Sequence, residues 1–180
     1  YVMDAVTGAL VQSFDTARSV IADVTLVLDA NKKAKYGYTA DMGGNVYRLS
    51  FGSGGTSTWS ITKIASLGCN TPSLCTDSVA NRKFGFAPSV VTADGSTYYV
   101  MLGSGEREKP VGYYAAAKSV TNYFFAIKDT PFNTTWLTSQ FATCGGNFIC
   151  RASLTSIPAG STSPTTVSDK GWYLGLASSE

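Results

Sequence analysis

The sequence predicts an all-β chain that forms part of an irregular β-propeller, and three observations carry that expectation. Tyr1 to Leu10 and Tyr38 to Leu49 each read as strand, acidic turn, strand, with an aromatic three residues before Asp4 or Asp41 and glycine after it (Gly8; Gly43 and Gly44). Glycine supplies the positive φ that tight hairpins need. Tyr, Phe, Val, Thr and Gly are plentiful while charged residues make up only 14%, a balance that suits half-buried pleated faces. No segment holds a 3.6-residue apolar period for three turns except Pro110 to Asn122. Hairpins recurring at intervals of tens of residues are the mark of propeller blades. Tyr99-Val100-Met101 repeats the Tyr-Val-Met of the first hairpin with Leu102 where the Asp stood.

Tyr1 to Thr16 is expected to be a hairpin turning at Asp4 and Gly8. From Ser19 to Ile64 the pattern gives a strand at Val24 to Leu28, a polar loop from Asp29 to Lys35, and a hairpin of Tyr36 to Ala40 with Val46 to Phe51. A Gly/Ser/Thr turn at Gly52 to Ser57 then leads to a strand at Trp59 to Ile64. Arg82 to Ser104 holds strands at Pro88 to Thr92 and Thr97 to Leu102 around Ala93-Asp94-Gly95-Ser96, a clear turn signal. Last come a strand at Tyr123 to Ile127, a cysteine loop, a Ser/Thr/Pro linker from Ser153 to Val167 and a strand at Trp172. The interval from Tyr1 to Tyr38 is much shorter than that from Tyr38 to Tyr99, so the blades are expected to be irregular, with a cysteine loop inserted in the longer interval. Tyr1 begins inside one predicted strand and Glu180 follows another closely. Residues 1–180 are therefore expected to be part of one propeller domain of a longer protein.

Four cysteines fall into two equally spaced pairs, Cys69 with Cys75 and Cys144 with Cys150. Four cysteines admit three connectivities. Each loop encloses turn formers (Asn70, Pro72, Ser73; Gly145, Gly146, Asn147), which makes local pairing the simplest choice. The rival, a four-cysteine zinc site, prefers ligands two to four residues apart. Disulfides imply an oxidising compartment, whether periplasm, cell surface or medium.

The chain carries no histidine, which removes Ser/His/Asp and Cys/His nucleophilic centres and the commonest general base. Neither a phosphate-cradling loop nor a dinucleotide fingerprint is present, Gly103-Ser104-Gly105 lacking the rest of the latter. Glu106 and Glu108 flank Arg107, a pattern of rim ion pairs more than of a glycosidase pair. Net charge is +2 and the one basic cluster, Lys32, Lys33 and Lys35, lacks interleaved aromatics, so it reads as a solvated loop and nucleic acid is not an expected partner. No apolar run is long enough for a membrane helix. Asp29-Ala30-Asn31 resembles the opening of a calcium loop, but Lys33 and Ala34 stand where a further oxygen ligand and the glycine belong. An Asx-turn is the plainer reading. No catalytic, cofactor-binding or metal residues are expected.

Taken together, Tyr1-Val2-Met3-Asp4-Ala5 with Thr7-Gly8, Asp29-Ala30-Asn31, Tyr38 to Leu49, Arg82-Lys83-Phe84 with Ala87-Pro88, and Tyr98 through Gly103-Ser104-Gly105-Glu106-Arg107-Glu108-Lys109-Pro110 resemble the C-terminal domain of the PilY/PilC group of type IV pilus tip proteins. The resemblance runs through Thr130 and resumes at Gly171-Trp172-Tyr173-Leu174. It implies a modified propeller at the pilus tip or the bacterial cell surface, reached through the periplasm. It further implies a non-enzymatic role in pilus assembly and extension, surface adhesion and twitching motility, with minor pilins, the tip complex and a host or abiotic surface as partners. Family members can carry a calcium loop before the hairpin matching Tyr38 to Leu49; here Asp29 and Asn31 remain, lysines follow and the closing Asp is missing, so no cofactor is expected. The second function class is a secreted quinoprotein-like propeller enzyme or cofactor binder, which would need repeated Trp-docking motifs and a metal constellation.

Overall fold

The computed structural model describes residues 1–72, 81–106, 119–158, 160–161 and 166–176, and over these residues the fold is all-β with a few short helical turns. A two-stranded ribbon, β1 (Val2–Met3) and β2 (Leu10–Gln12), precedes two five-stranded sheets, none of the three closed into a barrel. In sheet one, β3 (Thr25–Leu28), β4 (Ala34–Ala40), β5 (Asn45–Ser50) and β6 (Ser60–Ser66) form a consecutive antiparallel meander. Sheet two repeats it with β7 (Ser89–Thr92), β8 (Tyr98–Gly103), β9 (Tyr123–Asp129) and β12 (Gly171–Gly175). Between β9 and β12 the chain makes a short helix, α1 (Phe141–Cys144), and two more strands. Of these, β10 (Ile149–Cys150) joins β6 and β11 (Thr155–Ile157) joins β12, both in parallel. One insertion thus adds a strand to the far edge of each sheet, opposite the edges at β3 and β7.

Four of the turns are capped by an aspartate, three of them with a glycine following it. Asp4 Oδ1 accepts the Val6 and Thr7 N–H groups and the Thr7 hydroxyl. Asp94 Oδ1 does the same for Ser96 and Thr97 N–H, Asp29 Oδ1 for Asn31 and Lys33 N–H, and Asp41 Oδ1 for Gly43 and Asn45 N–H. Satisfying turn amides locally makes each reversal possible without another strand.

Strand alternation then sorts the side chains. Tyr36, Tyr38, Ala40, Val46 and Ile64 of sheet one meet Tyr98, Val100, Leu102, Phe125 and Ile127 of sheet two in a single core. Each fully buried aliphatic or aromatic side chain there contributes about 1.5 to 3 kcal/mol. The opposite faces carry apolar side chains as well, with Lys63 of sheet one and Lys128 of sheet two among them. On sheet one Leu26, Leu49, Phe51, Trp59 and Ile61 line a groove under the ribbon, Leu26 remaining 52% exposed. On sheet two the cross-strand rows Val91–Tyr99, Met101–Ala126–Trp172 and Phe124–Leu174 face outward, with Phe124 and Trp172 ring to ring at 5.9 Å.

Several expectations need correcting. Ser153 to Val167 is not only a linker, because β11 lies in it, recruited by the edge of β12 and not by any pattern of its own. The Tyr99-Val100-Met101 repeat of the first hairpin's Tyr-Val-Met has no acidic turn after it and lies in the middle of β8. The two hairpins alike in sequence also differ in place: Asp41 turns β4 into β5, whereas Asp4 turns β1 into β2, the last strand before the linker. An Asp-capped turn answers a local need and so marks no position in a repeat. Cys75, Glu108 and most of Pro110 to Asn122 lie outside the described residues, and with them the Cys69–Cys75 pairing. Cys144 and Cys150 are disulfide-bonded. Among the described residues no helix is long and apolar enough to cross a membrane.

Candidate functional site

Two fully buried aspartates organise the described molecule. Asp41 directly follows β4, and beyond its turn amides both its oxygens accept from Asn45 Nδ2, while Oδ2 also takes the Tyr47 hydroxyl at 2.9 Å and the Arg18 N–H at 3.1 Å. It therefore ties the linker from β2 to the β4–β5 turn. Burial holds the Tyr47 phenol well above its ordinary pKa, with the neighbouring Asp41 adding to the rise. Next to it, Gly44 has φ +80°, and a Cβ there would overlap the Gly68 backbone and the Arg82 carbonyl oxygen. Only glycine permits that crossing.

Asp129 ends β9 on the core face. It accepts two hydrogen bonds from Arg48 Nη1, at 2.7 and 2.8 Å, and one from the Tyr38 hydroxyl at 2.9 Å. Arg48 and Tyr38 belong to sheet one, so this ion pair bridges the sheets. Tyr36, Tyr38 and Tyr98 pack around it with ring centroids 5.4 to 6.4 Å apart, and Arg48 lies 5.9 Å over the Tyr36 ring. Desolvation first, then Asp129, raises the Tyr38 pKa far above normal. A carboxylate held by one guanidinium nitrogen and one phenolic hydroxyl, with no exposure, is a structural anchor, poorly placed to take a proton from a substrate.

A second cationic centre surrounds Tyr123. Arg82 lies 5.0 Å from its ring and Arg151 5.8 Å, Arg151 also covering Tyr173. Arg82 donates to the Leu67 and Thr121 carbonyls and to Asn70 Oδ1, and burial lowers its pKa. The stack joins the β6–β7 linker, β9, β12 and the insertion.

The residues singled out in the sequence scatter around these centres. Asp29 Oδ1 is committed to its own turn, Asn31 supplies one of the amides, and Lys32 completes the reversal at φ +62°. Lys32 and Lys33 are exposed, whereas Lys35 is half-buried, 4.8 Å from the Phe132 ring. Glu106 pairs with Lys83 at 2.7 Å. The Cys144–Cys150 bridge closes the insertion where β10 meets β6. Among the described residues no three His, Cys, Asp or Glu side chains converge as metal ligands. A groove of about 1790 Å³ lies between β1 and sheet one, and Lys33, Lys35 and Arg48 are among the residues that line it.

No protein-family model, curated protein or solved structure matches the chain. Arg48 and Asp129 escaped the sequence reading although a signal existed: both fall on the core-facing alternation of apolar strands, Arg48 in step with Val46 and Asp129 in step with Phe125 and Ile127. A charge on the buried face of a strand demands a partner.

Proposed function

We propose that this chain is part of a β-propeller domain of a type IV pilus tip protein, acting without catalysis in pilus assembly and extension, adhesion and twitching motility. The observation that supports the propeller reading is that both sheets contain four-strand meanders with large apolar side chains on both faces. A two-layer sandwich exposes polar outer faces to solvent, whereas a blade in a radial stack has a neighbour on each side. The inner-strand contact is in keeping with this, since β3 lies against β7 and the Thr25 hydroxyl donates to the Pro88 carbonyl at 2.6 Å. The pilus assignment itself rests on the resemblance of the hairpin and Gly-Ser-Gly-Glu segments. The Cys144–Cys150 disulfide accords with an extracellular or cell-surface location, with minor pilins, the tip complex and a contacted surface as partners. Asp29 and Asn31 hold no calcium in this reading, because the Asp29 oxygen is used in its turn and lysines follow; micromolar calcium affinity in calorimetry, abolished by Asp29→Ala, would sink that point.

The deciding experiment removes Tyr1 to Glu180 from the parent protein and counts surface pili and adherent cells. Loss of either, with no loss of a hydrolytic or redox activity, is expected. Normal piliation and normal adhesion together overturn the assignment. A quinoprotein-like enzyme remains the second class, and it predicts loss of a dehydrogenase activity in the same strain.

A further inference from the structure

The two linkers that enter the sheets are equivalent. The chain leaves β2, passes Arg18 and Ser19 and becomes β3; it leaves β6, passes Arg82 and Lys83 and becomes β7. At the first crossing the Met42 N–H donates to the Ser19 carbonyl at 3.0 Å. At the second the Gly105 N–H donates to the Lys83 carbonyl, also at 3.0 Å. Met42 stands two residues beyond β4 and Gly105 two beyond β8, the second strand of each sheet. So β2 stands to sheet one as β6 stands to sheet two, and β1 as β5.

In sheet one, however, β5 continues inward to β4 and β3, whose Tyr36, Tyr38 and Val27 cover sheet two. Among the described residues the ribbon has two strands, and the edge of β1 away from β2 is unpaired. Tyr1, Val2 and Met3 line the groove while no residue of β2 does, so the open edge of β1 runs along the groove. Beneath it lie Val24, Leu26 and Leu28, each 44 to 52% exposed, and Gly37. An open strand edge beside an apolar face is a template for another strand.

We infer that this groove is the seat of two further antiparallel strands of the parent chain, which pair with β1 and complete, with β2, a four-strand meander stacked on sheet one. The inference rests on the stacked-sheet reading above and adds the occupant. By equivalence with β3 and β4, the strand pair presents alternating apolar and aromatic side chains to Leu26 and Gly37.

The test is maleimide labelling of single-cysteine substitutions in the full parent protein, with Val6→Cys at the exposed ribbon tip, 94% exposed, as the reference. Leu26→Cys and Leu28→Cys are partly exposed positions that tolerate the change, and each rate is normalised to that in urea. The expected result is labelling at least tenfold slower than at Val6→Cys and independent of protein concentration. Rates within about twofold of Val6→Cys overturn the inference. Protection that appears only as concentration rises assigns the groove to a second copy and overturns it too. Val91→Cys, on the outer face of sheet two, separates the two levels. If it is protected while Leu26→Cys reacts freely, the stack stands and the occupant falls; if both react freely, both readings fall.

Discussion

In sheet one the connections between strands are short, with Asp29 and Asp41 capping the first two, whereas in sheet two only the Asp94 turn is short and the other links run through residues 104–122 and 130–170. The same meander is therefore held together differently. Sheet one is largely specified by neighbours in sequence: amides captured by an aspartate two to four residues away, and glycine where φ is positive. Sheet two depends on groups far apart in the chain, including Tyr123 against Tyr173 at 5.2 Å, the Arg151–Tyr173 contact and the Ser104 hydroxyl, which bonds Asn122 and accepts the Tyr123 N–H. Closing long loops before any contact forms costs entropy and slows pairing. Sheet two is thus the part that needs sheet one beside it, and Asp129 is where the two are joined.

The largest effect is expected at that joint. Asp129→Ala leaves the Arg48 guanidinium buried and uncompensated, a loss of about 3 to 5 kcal/mol, measurable by urea unfolding. Asp129→Asn should recover part of it, because the amide oxygen still accepts from Arg48. If Asp129→Ala costs less than about 1 kcal/mol, the sheets are not coupled through this pair.

Asp41→Ala comes next. It strands several buried donors at once, and about 2 to 3 kcal/mol is expected, with hydrogen exchange accelerated first at Gly43, Asn45 and the Arg18 linker. Acceleration confined to sheet two would contradict the assignment of Asp41 to sheet one. The Cys144→Ser, Cys150→Ser pair should cost about 2 kcal/mol through the loop-closure entropy of the unfolded chain. Exchange should rise at Ala65 and Ser66, which pair with β10, more than at β3. Equal change at both would mean that the insertion does not act through the edge of sheet one.

The smallest effect belongs to an exposed turn. Hydrogen bonds from the Ser96 amide and hydroxyl, then from the Thr97 amide, hold the Asp94 pKa down to about 2. Because the folded value lies below the unfolded one of about 3.9, the stabilisation is complete above that pH and is lost as pH falls through about 2. An NMR titration of the Asp94 side chain with a midpoint near 4 would show that the turn is not capped as described.

These contrasts divide what was legible in the sequence from what was not. The ribbon, all four strands of the sheet-one meander, β7, β8, β9 and β12 were readable because alternation, aromatic content and Asp/Gly turns act within a few residues. The Cys144–Cys150 bridge was readable for the same reason, its partners being six positions apart. Not readable were β10 and β11, two and three residues long, which are strands only because the edges of β6 and β12 offer unpaired backbone groups. Nor was the pairing of Arg48 with Asp129, which alternation could flag as buried but could not match. The stacking of Arg82 and Arg151 on Tyr123 is of the same kind. Local hydrogen bonding and side-chain period are properties of the sequence by itself; which distant edge, charge or ring completes them was decided only when the two sheets closed face to face, since desolvation makes each unpaired group costly and selects the partner.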